Sequence, residues 1–529
     1  MTYWGMKFLG IFLPLTIIIY NLLPQKHRWK LLLGASYLFF WSISGKLLAY
    51  LIFTTVCMHD FGLWFSAIQS ERDEILKNTE KEKRKQIKEE TQKKQRKAML
   101  LAALSQVAIL VIVKYSTFFG TNLNSLLKLL NIPIQFKVYT FLIPIGISFY
   151  TLQAVSYIVD VYKEKIKAER SFGKLALYMS FFPQIMEGPI SRYSEIADQL
   201  WKCEKVTYHS LTYGLQRMLF GLMKKMVIAD RVNLFIIKVF NDYMCYDGGI
   251  VAIGMVLYTL QLYMDFSGTM DIALGVAEIF GVKLPENFRQ PFFSKTISEF
   301  WTRWHITLGA WFRDYIFYPV SLTDKCKKLT TKLRKKIGNF YGPLVASTIA
   351  LFCVWLCNGI WHGSAWNYIF FGMYHFVLIL IGRIIEPIVK KVNSKLHINS
   401  NNFIYKALQI IRTTILVFIG ELFFRANGLR AGMEMFKEMI TNFSLELVKN
   451  GKLFKLGMDK ADYIIVGITV ILIFIISILK EKKINIRESI EKKNIVIRWT
   501  LYYALIIMIV IFGAYGEAYL PVDPMYAQF

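Results

Sequence analysis

The sequence contains no phosphate loop, no HExxH pair, no Gly-x-Ser-x-Gly nucleophile elbow and no dinucleotide fingerprint. These absences argue against P-loop nucleotide hydrolysis, zincin chemistry, a serine acyl-enzyme and Rossmann-type redox work. Cysteine is also sparse. There are six, none at metal-ligand spacing, and Cys353 and Cys357, four residues apart in an apolar run, read as small buried hydrophobes rather than a disulfide or metal pair. No metal and no permanently bound cofactor is expected. No fixed-period repeat is visible and neither half mirrors the other, which counts against an inverted-repeat transporter. The first apolar run lacks a basic leader and a small-residue cleavage site, so it reads as an anchor.

Charge is scarce too. Only 19% of the 529 residues are charged, against 55% hydrophobic and 16% aromatic, and a soluble chain of this length carries more. The apolar residues come in long runs; 463–479 and 499–516 hold no charge. Runs of about 17 or more apolar residues read as spanning helices, because a helix satisfies its own backbone where hydrocarbon cannot. Candidate crossings are 7–23, 31–44, 47–68, 98–119, 139–160, 211–230, 250–275, 342–360, 364–384, 404–424, 461–479 and 499–516. With one or two re-entrant or surface-lying, this predicts an all-α, polytopic bundle of about eleven spans.

Sixty-four Lys and Arg oppose 37 Asp and Glu, a net charge of +27. No recognition motif accompanies that charge, so nucleic acid is not the expected partner. Loops that stay on the cytoplasmic side collect cations and attract anionic lipid. The richest are 25–30, 71–97, 163–174, 325–336, 390–395 and 480–498. All six fall on one side if 175–324 supplies an even number of crossings. Segment 71–97 is nearly all polar with mixed signs, and reads as a solvated helix or flexible hairpin inserted on the cytoplasmic side.

Between 175 and 370 the apolar runs are broken by Pro, Gly and polar residues, as in Phe181-Phe182-Pro183-Gln184, Asp265-Phe266-Ser267-Gly268 and Asn358-Gly359-Ile360-Trp361-His362-Gly363. Irregular backbone at membrane depth survives only where protein or a water-filled cavity surrounds it. The catalytic core is therefore expected within 139–385.

Histidine is the side chain best suited to proton transfer near neutral pH, and ionisable groups inside a membrane are functional candidates by default. His362 has the strongest local case among seven, lying between two apolar runs with Gly359 and Gly363 beside it. It reads as the base, with a packing histidine as the alternative. His305 lies in a stretch from Trp301 to Asp314 whose Trp301, Trp304, His305, Leu308, Trp311 and Phe312 share one helical face. That predicts one amphipathic interfacial helix, with His305 catalytic, substrate-positioning or simply hydrogen-bonded to fix the helix.

Asp265, Ser267, Asn287, Trp301, Arg303, Trp304, Asn358 and Trp361 complete the candidate substrate-binding set. Asp265 and Asp271 are expected to pair with Arg303 or Arg313, and Glu421 with Arg425 along one helix. His375 reads as a packing residue behind the site, and His59-Asp60 as a satisfied polar spot. Asn358, Trp361 or nearby backbone N–H groups are candidate oxyanion donors.

In order along the chain stand Pro144-Ile145-Gly146-Ile147-Ser148-Phe149-Tyr150, Phe181-Phe182-Pro183-Gln184 with Gly188-Pro189-Ile190, and Lys224-Lys225 with Ala229-Asp230-Arg231. Asp265-Phe266-Ser267-Gly268, Leu284-Pro285-Glu286-Asn287-Phe288, the Trp301–Asp314 stretch, Gly359-Ile360-Trp361-His362-Gly363 and Phe423-Phe424-Arg425-Ala426 follow. Through these blocks the chain resembles the membrane-bound O-acyltransferase superfamily over 1–529 apart from the charged insert. The likeness is to the bacterial branch that contains the alginate O-acetyltransferase membrane subunit.

The resemblance implies a single integral membrane domain with a central funnel, an essential histidine at His362 and a second important one at His305. It also implies transfer of an acyl group from a cytoplasmic donor, typically acetyl-coenzyme A, toward an extracytoplasmic polysaccharide across the bacterial cytoplasmic membrane. A separate SGNH hydrolase-like partner often completes that transfer. Length and the terminal Met525-Tyr526-Ala527-Gln528-Phe529 favour this branch over the related teichoic-acid D-alanyl transferases, which remain the alternative, with a carrier protein as donor. A polysaccharide or lipid transporter without acyl chemistry is the alternative of another class. Glu187, Thr269-Met270 and Tyr318-Pro319-Val320-Ser321 depart from the family pattern, which puts the acceptor's identity in doubt.

Overall fold

A computed structural model describes residues 1–516 and 519–523; the terminal 525–529 motif lies outside the described residues. The described chain is all-helical, with a single isolated bridge, Phe288 to Trp304, in place of any strand. Two compact units are present, Met1–Leu215 with Ala273–Pro285, and Gln216–Ile272 with Glu286–Met525.

Among the described residues eight helical stretches are long and apolar enough to cross a membrane: Gln25–Lys77, Lys81–Leu129, Gly248–Ile279, Asp324–His362, which is broken at Gly338 with a φ of 88°, Trp366–Lys395, Phe403–Arg425, Lys460–Glu481 and Ile495–Phe512. Phe8–Leu22 is a shorter apolar one. The segments expected at 31–44 and 47–68 belong to one stretch, interrupted only by a 3-10 turn at Gly45–Leu47 where Gly45 takes a φ of 51°.

The segment expected at 139–160 is helical only over Ile147–Tyr162. Pro144 disfavours helix in the residue before it. Gly146 then takes a φ of 71°, and a Cβ there would meet the Ile185 carbonyl oxygen at 2.0 Å. The resulting helix is buried almost throughout, so it is a core element rather than a lipid-facing one.

The segment expected at 211–230 runs through Tyr208–Leu222, a π-helical stretch at Met223–Ala229 and Asp230–Asn241. It buries Lys224, Lys225, Asp230 and Arg231. π-helical turns are rare and concentrate at functional sites.

In the first unit Tyr3, Phe8, Phe12, Phe39 and Phe182 form one aromatic cluster, pinned where the Tyr3 hydroxyl donates to the Phe182 carbonyl at 2.6 Å. The charged insert 71–97 is helical on both sides of Asn78–Glu80, as extensions of Leu48–Lys77 and Lys81–Leu129. Arg72 pairs there with Glu164, tying two of the basic regions expected on the same side.

In the second unit, helices meet at close backbone contacts. A Cβ on Gly221 would lie 2.4 Å from the Gly268 carbonyl oxygen, and one on Gly372 would lie 2.4 Å from that of Trp355. Small residues let membrane helices approach to this distance. The second contact locks Asp324–His362 against Trp366–Lys395 just below His362.

Candidate active site and the basic cavity beside it

The stretch from Trp301 to Asp314 is not one helix. It breaks at His305, which takes φ 47° and ψ 51° between Ile297–Arg303 and Ile306–Phe312. The cause is the segment after Pro285, which zips onto the break. Arg289 N–H donates to the Arg303 carbonyl at 2.9 Å, and Ile306 N–H donates to the Asn287 carbonyl at 3.0 Å.

The Asn287 side chain completes the arrangement. Its Oδ1 accepts the backbone N–H and the hydroxyl of Thr307, both at 3.0 Å, and lies 3.2 Å from His305 Nδ1. Amide hydrogen bonds compensate the left-handed residue, which carries a conformational cost outside glycine and asparagine. Asn287 therefore acts as a scaffold for His305, and its Nδ2 faces Met270 sulfur at 3.4 Å.

His305 is buried, with its ring edge-on to Phe266 at 4.9 Å and to Trp361 at 5.7 Å. It lies in a turn outside the spanning helices, and burial pushes its imidazole down to about 3, so the ring is neutral at working pH.

His362 is the last residue of its long helix, and the chain leaves it extended at Gly363. The ring is buried among Trp361 at 5.0 Å, Phe424 at 5.2 Å and Phe371 at 6.0 Å. Both histidines thus contact the same indole, Trp361. Gly363 makes room for Tyr368, whose ring a Cβ at 363 would meet at 2.3 Å. Asn358, one helical turn before His362, is buried, and its Oδ1 has no hydrogen-bond partner among the described residues.

The other candidates divide. Trp301 packs on Trp355 at 4.8 Å and His375 at 4.9 Å, and Trp304 packs on Phe288 at 5.1 Å and Phe300 at 5.4 Å. His375 is buried with both ring nitrogens unpartnered among the described residues. His59 is satisfied by Asp60 and the Arg170 carbonyl, each at 3.3 Å.

The ion pairs differ from expectation. Arg303 pairs with Glu299 at 2.8 Å and Glu481 at 2.9 Å, and Arg313 with its neighbour Asp314 at 3.1 Å. Asp265 instead takes Lys225 at 2.8 Å, and Lys225 also holds Asp230 at 2.8 Å. Asp271 takes Lys224 at 2.5 Å and Arg217 at 3.0 Å, and Ser267 accepts from Lys224 at 2.9 Å. Proximity decides this: the buried carboxylates take buried cations on the neighbouring helical segment, while Arg303 reaches an exposed glutamate. Glu421 and Arg425 do not pair; Glu421 Oε2 is buried without a partner among the described residues, and Arg425 stacks over Phe240.

Arg217 and Lys224 were missed as site residues by sequence reasoning. Their signal was the presence of cations inside an otherwise apolar segment. Together with Ser267, Asp271, Asn287 and Tyr263 they line a small cavity of about 50 Å³. A second cavity of about 550 Å³ shares Arg217, Asp271, Glu286 and Lys480 with it and adds Arg289, Lys483 and Arg487. Its remaining wall is apolar, from Leu472, Ile476, Leu501 and Leu505. Asn287 lines the small cavity and holds His305, so the small cavity reaches the residue that orients the first histidine. Among the described residues no three His, Cys, Asp or Glu side chains converge as metal ligands.

The profile of the membrane-bound O-acyltransferase family matches residues 166–333, a span that contains His305 and stops short of His362. A probable alginate O-acetylase AlgI of Pseudomonas putida is 30% identical over 467 residues, 87% of this chain and 85% of that protein. A peptidoglycan O-acetyltransferase of Helicobacter pylori is 29% identical over 368 residues, 65% of this chain and 64% of that protein. A teichoic acid D-alanyltransferase of Bacillus subtilis is 33% identical over 258 residues, 47% of this chain and 60% of that protein. The likeness to the Pseudomonas putida protein covers 87% of this chain, so it extends into both units. The chain is a multi-pass membrane O-acyltransferase and belongs to the membrane-bound O-acyltransferase family.

Proposed function

We propose that this protein moves an acetyl group from acetyl-coenzyme A on the cytoplasmic side to hydroxyls of an extracytoplasmic cell-wall or exported polysaccharide, in the cytoplasmic membrane of a bacterium. The observation that carries this reading is the shared indole: His305 and His362 lie against Trp361, and the small cavity lined by Asn287, which holds His305, shares Arg217 and Lys480 with the larger basic cavity. A donor entering through that cavity and an acceptor reaching His362 would meet there.

The cavity's chemistry suits a phosphate-bearing thioester. Arg289, Lys480, Lys483 and Arg487 would hold phosphate groups by charge-assisted hydrogen bonds, and the Leu and Ile wall would cover the pantetheine arm. Lys480, Lys483 and Arg487 belong to a loop that the distribution of cations assigns to the cytoplasm.

In the reaction, the His362 imidazole takes the proton of the acceptor hydroxyl as its oxygen attacks the acyl carbonyl. The tetrahedral intermediate collapses, the carbon–sulfur bond breaks, and the thiolate leaves with that proton. Asn358, one helical turn before His362, Trp361 or nearby backbone N–H groups would stabilise the oxyanion. His305, fixed in orientation by Asn287, positions the donor. Asp265 and Ser267 act through the Lys224–Lys225 ion pairs, and Arg303, Trp301 and Trp304 shape the walls.

The D-alanyl reading has its own support in the Bacillus subtilis relative, since a carrier protein would present the same phosphopantetheine arm to the same cavity. An extracytoplasmic SGNH-like partner fits either acyl group. Replacing His362 with Ala in the expressing cell and measuring base-labile acyl groups on the surface glycan decides the reading. Acetate lost with normal protein level supports it; D-alanine lost moves it to the carrier-dependent route; unchanged esters overturn the role of His362.

A further inference from the structure

We infer that the small cavity lined by Asn287 is the pocket for the acyl group itself, with Met270 setting the acyl length it takes and the cations around it excluding an acyl group that carries an ammonium. The inference rests on the acyltransferase reading and adds to it the residues that select the acyl group.

The cavity's place follows from its walls. It shares Arg217, Asp271, Glu286 and Lys480 with the larger cavity that suits the donor's phosphates and pantetheine arm. It also reaches Asn287, whose Oδ1 lies 3.2 Å from His305 Nδ1. The reacting end of a thioester held in the larger cavity has this smaller one to enter, beside the residue that orients His305.

Size sets the first limit. The cavity measures about 50 Å³. At about 10–15 Å³ for each water-sized group, it has room for roughly four non-hydrogen atoms. An acetyl or propionyl group fits, and a butyryl group does not. The lining is mixed. Lys224 and Asn287 can donate to a thioester carbonyl, while Tyr263, Phe288 and Met270 offer apolar surface to the alkyl end.

Met270 is the adjustable part of that wall. Phe288 is wedged by Phe266 at 5.0 Å, Trp304 at 5.1 Å and Tyr263 at 5.8 Å, so the aromatic part is fixed. Met270 is buried on Gly248–Ile279 between Ser267 and Asp271, both of which bind Lys224. Its sulfur accepts from Asn287 Nδ2 at 3.4 Å, which brings the end of the side chain to the residue that holds His305. An unbranched thioether fills whatever space its neighbours leave. Met270 also falls in a stretch that departs from the family pattern.

Charge sets the second limit. Arg217, Lys224 and Lys480 line the cavity together with Asp271 and Glu286. Both carboxylates are taken: Asp271 by Lys224 at 2.5 Å and Arg217 at 3.0 Å, and Glu286 by Arg217 at 2.6 Å. Lys480 adds its charge over the Phe220 ring, 5.2 Å from the centroid. The ammonium of an aminoacyl group would enter as one more cation among these, and such like-charge contact is a device against the wrong substrate. A neutral acyl group pays no such penalty.

Binding of stable donor analogues to the purified full-length protein in lipid nanodiscs tests this without turnover. The probes are ketone analogues of acetyl-, butyryl-, isobutyryl- and D-alanyl-coenzyme A, with a methylene in place of the thioester sulfur. Isobutyryl and D-alanyl match in shape and differ in charge. Displacement of the labelled acetyl analogue gives each affinity. The wild-type protein should hold the acetyl analogue about tenfold or more tighter than the butyryl and isobutyryl ones, the cost of forcing extra methylenes into a filled pocket. Met270→Ala should shrink that gap to about threefold or less, and should still hold the D-alanyl analogue about tenfold weaker than its neutral isostere. Lys480→Gln added to Met270→Ala should narrow the second gap. Met270→Leu, of similar volume, should keep the wild-type order.

Equal affinity for the acetyl and butyryl analogues in the wild type overturns the inference. So does an unchanged gap in Met270→Ala that still binds the acetyl analogue, or D-alanyl held there as tightly as isobutyryl. Should Met270→Ala not fold, Met270→Val opens the pocket part-way and is read by the same criteria. Failure of every analogue to bind the wild type brings down the coenzyme A donor and the inference with it, whereas binding without acyl preference brings down the inference alone.

Discussion

Asn287 Oδ1 lies 3.2 Å from Nδ1 of His305, and the same oxygen accepts the backbone N–H of Thr307 at 3.0 Å. One amide therefore fixes both the ring orientation and the left-handed turn that carries it. Replacing Asn287 with Ala leaves buried donors unpaired, which costs about 1–3 kcal/mol. The expected result is a lower melting temperature in detergent and a fall in acyl transfer, with Asn287→Asp retaining more of both because it keeps the acceptor oxygen. Unchanged stability and activity in Asn287→Ala would remove Asn287 from the site.

His362→Ala should lower acyl transfer by roughly 10²–10⁴-fold, the range for a lost general base, with the protein still present in the membrane. His305→Ala should reduce transfer strongly by misplacing the donor. Single-turnover assays in membranes, with labelled acyl donor, read both. Full activity in His305→Ala would demote that ring to packing.

Burial holds His305 neutral down to about pH 3 in the folded chain. An unfolded histidine takes up its proton below about 6.5. Between those values the unfolded state binds the extra proton, so His305 contributes a loss of stability as the pH falls below about 6.5. Thermal unfolding at pH 7.5 and pH 5.0 should show a smaller acid loss in His305→Gln than in the wild type. An identical loss would mean that the ring is hydrated and protonates in the fold.

Lys225 sits between Asp265 and Asp230, 2.8 Å from each. Lys225→Met alone leaves two buried carboxylates without their cation, and breaking such a pair costs about 3–5 kcal/mol. Lys225→Met combined with Asp230→Asn and Asp265→Asn should recover most of the lost folded yield. Size-exclusion profiles of the solubilised variants test this, and a triple variant as poor as the single one would contradict it.

Arg289→Gln and Arg487→Gln should raise the KM for the acyl thioester while leaving kcat nearly unchanged, because both line the cavity away from the histidines. The wild-type KM should rise with salt, and less so in the variants, as screening weakens the phosphate contacts. A change in kcat alone would place these residues elsewhere in the cycle.

The two histidines were legible in the sequence because each carries local punctuation: glycines around His362, and tryptophans at helical spacing around His305. Their neighbourhood was not. The face shared by Trp301, Trp304 and His305 on one ideal helix does not exist, because Asn287, from a segment eighteen residues earlier, breaks that helix at His305. Helical periodicity describes only contacts within one segment. The ion pairs failed for the same reason: Asp265 and Asp271 chose Lys225 and Lys224 over Arg303 and Arg313, and spacing cannot rank partners on other helices.

Hydrophobic length determined by itself that this chain enters a membrane many times, since transfer free energy acts on each segment separately. Ordered motifs fixed the family. Only the tertiary structure decided that Trp361 touches both imidazoles, that the small cavity reaches Asn287 and that Asp265 pairs with Lys225. Those facts depend on how helices distant in sequence pack, and backbone contacts such as Gly372 against Trp355 set that packing to within a few tenths of an ångström.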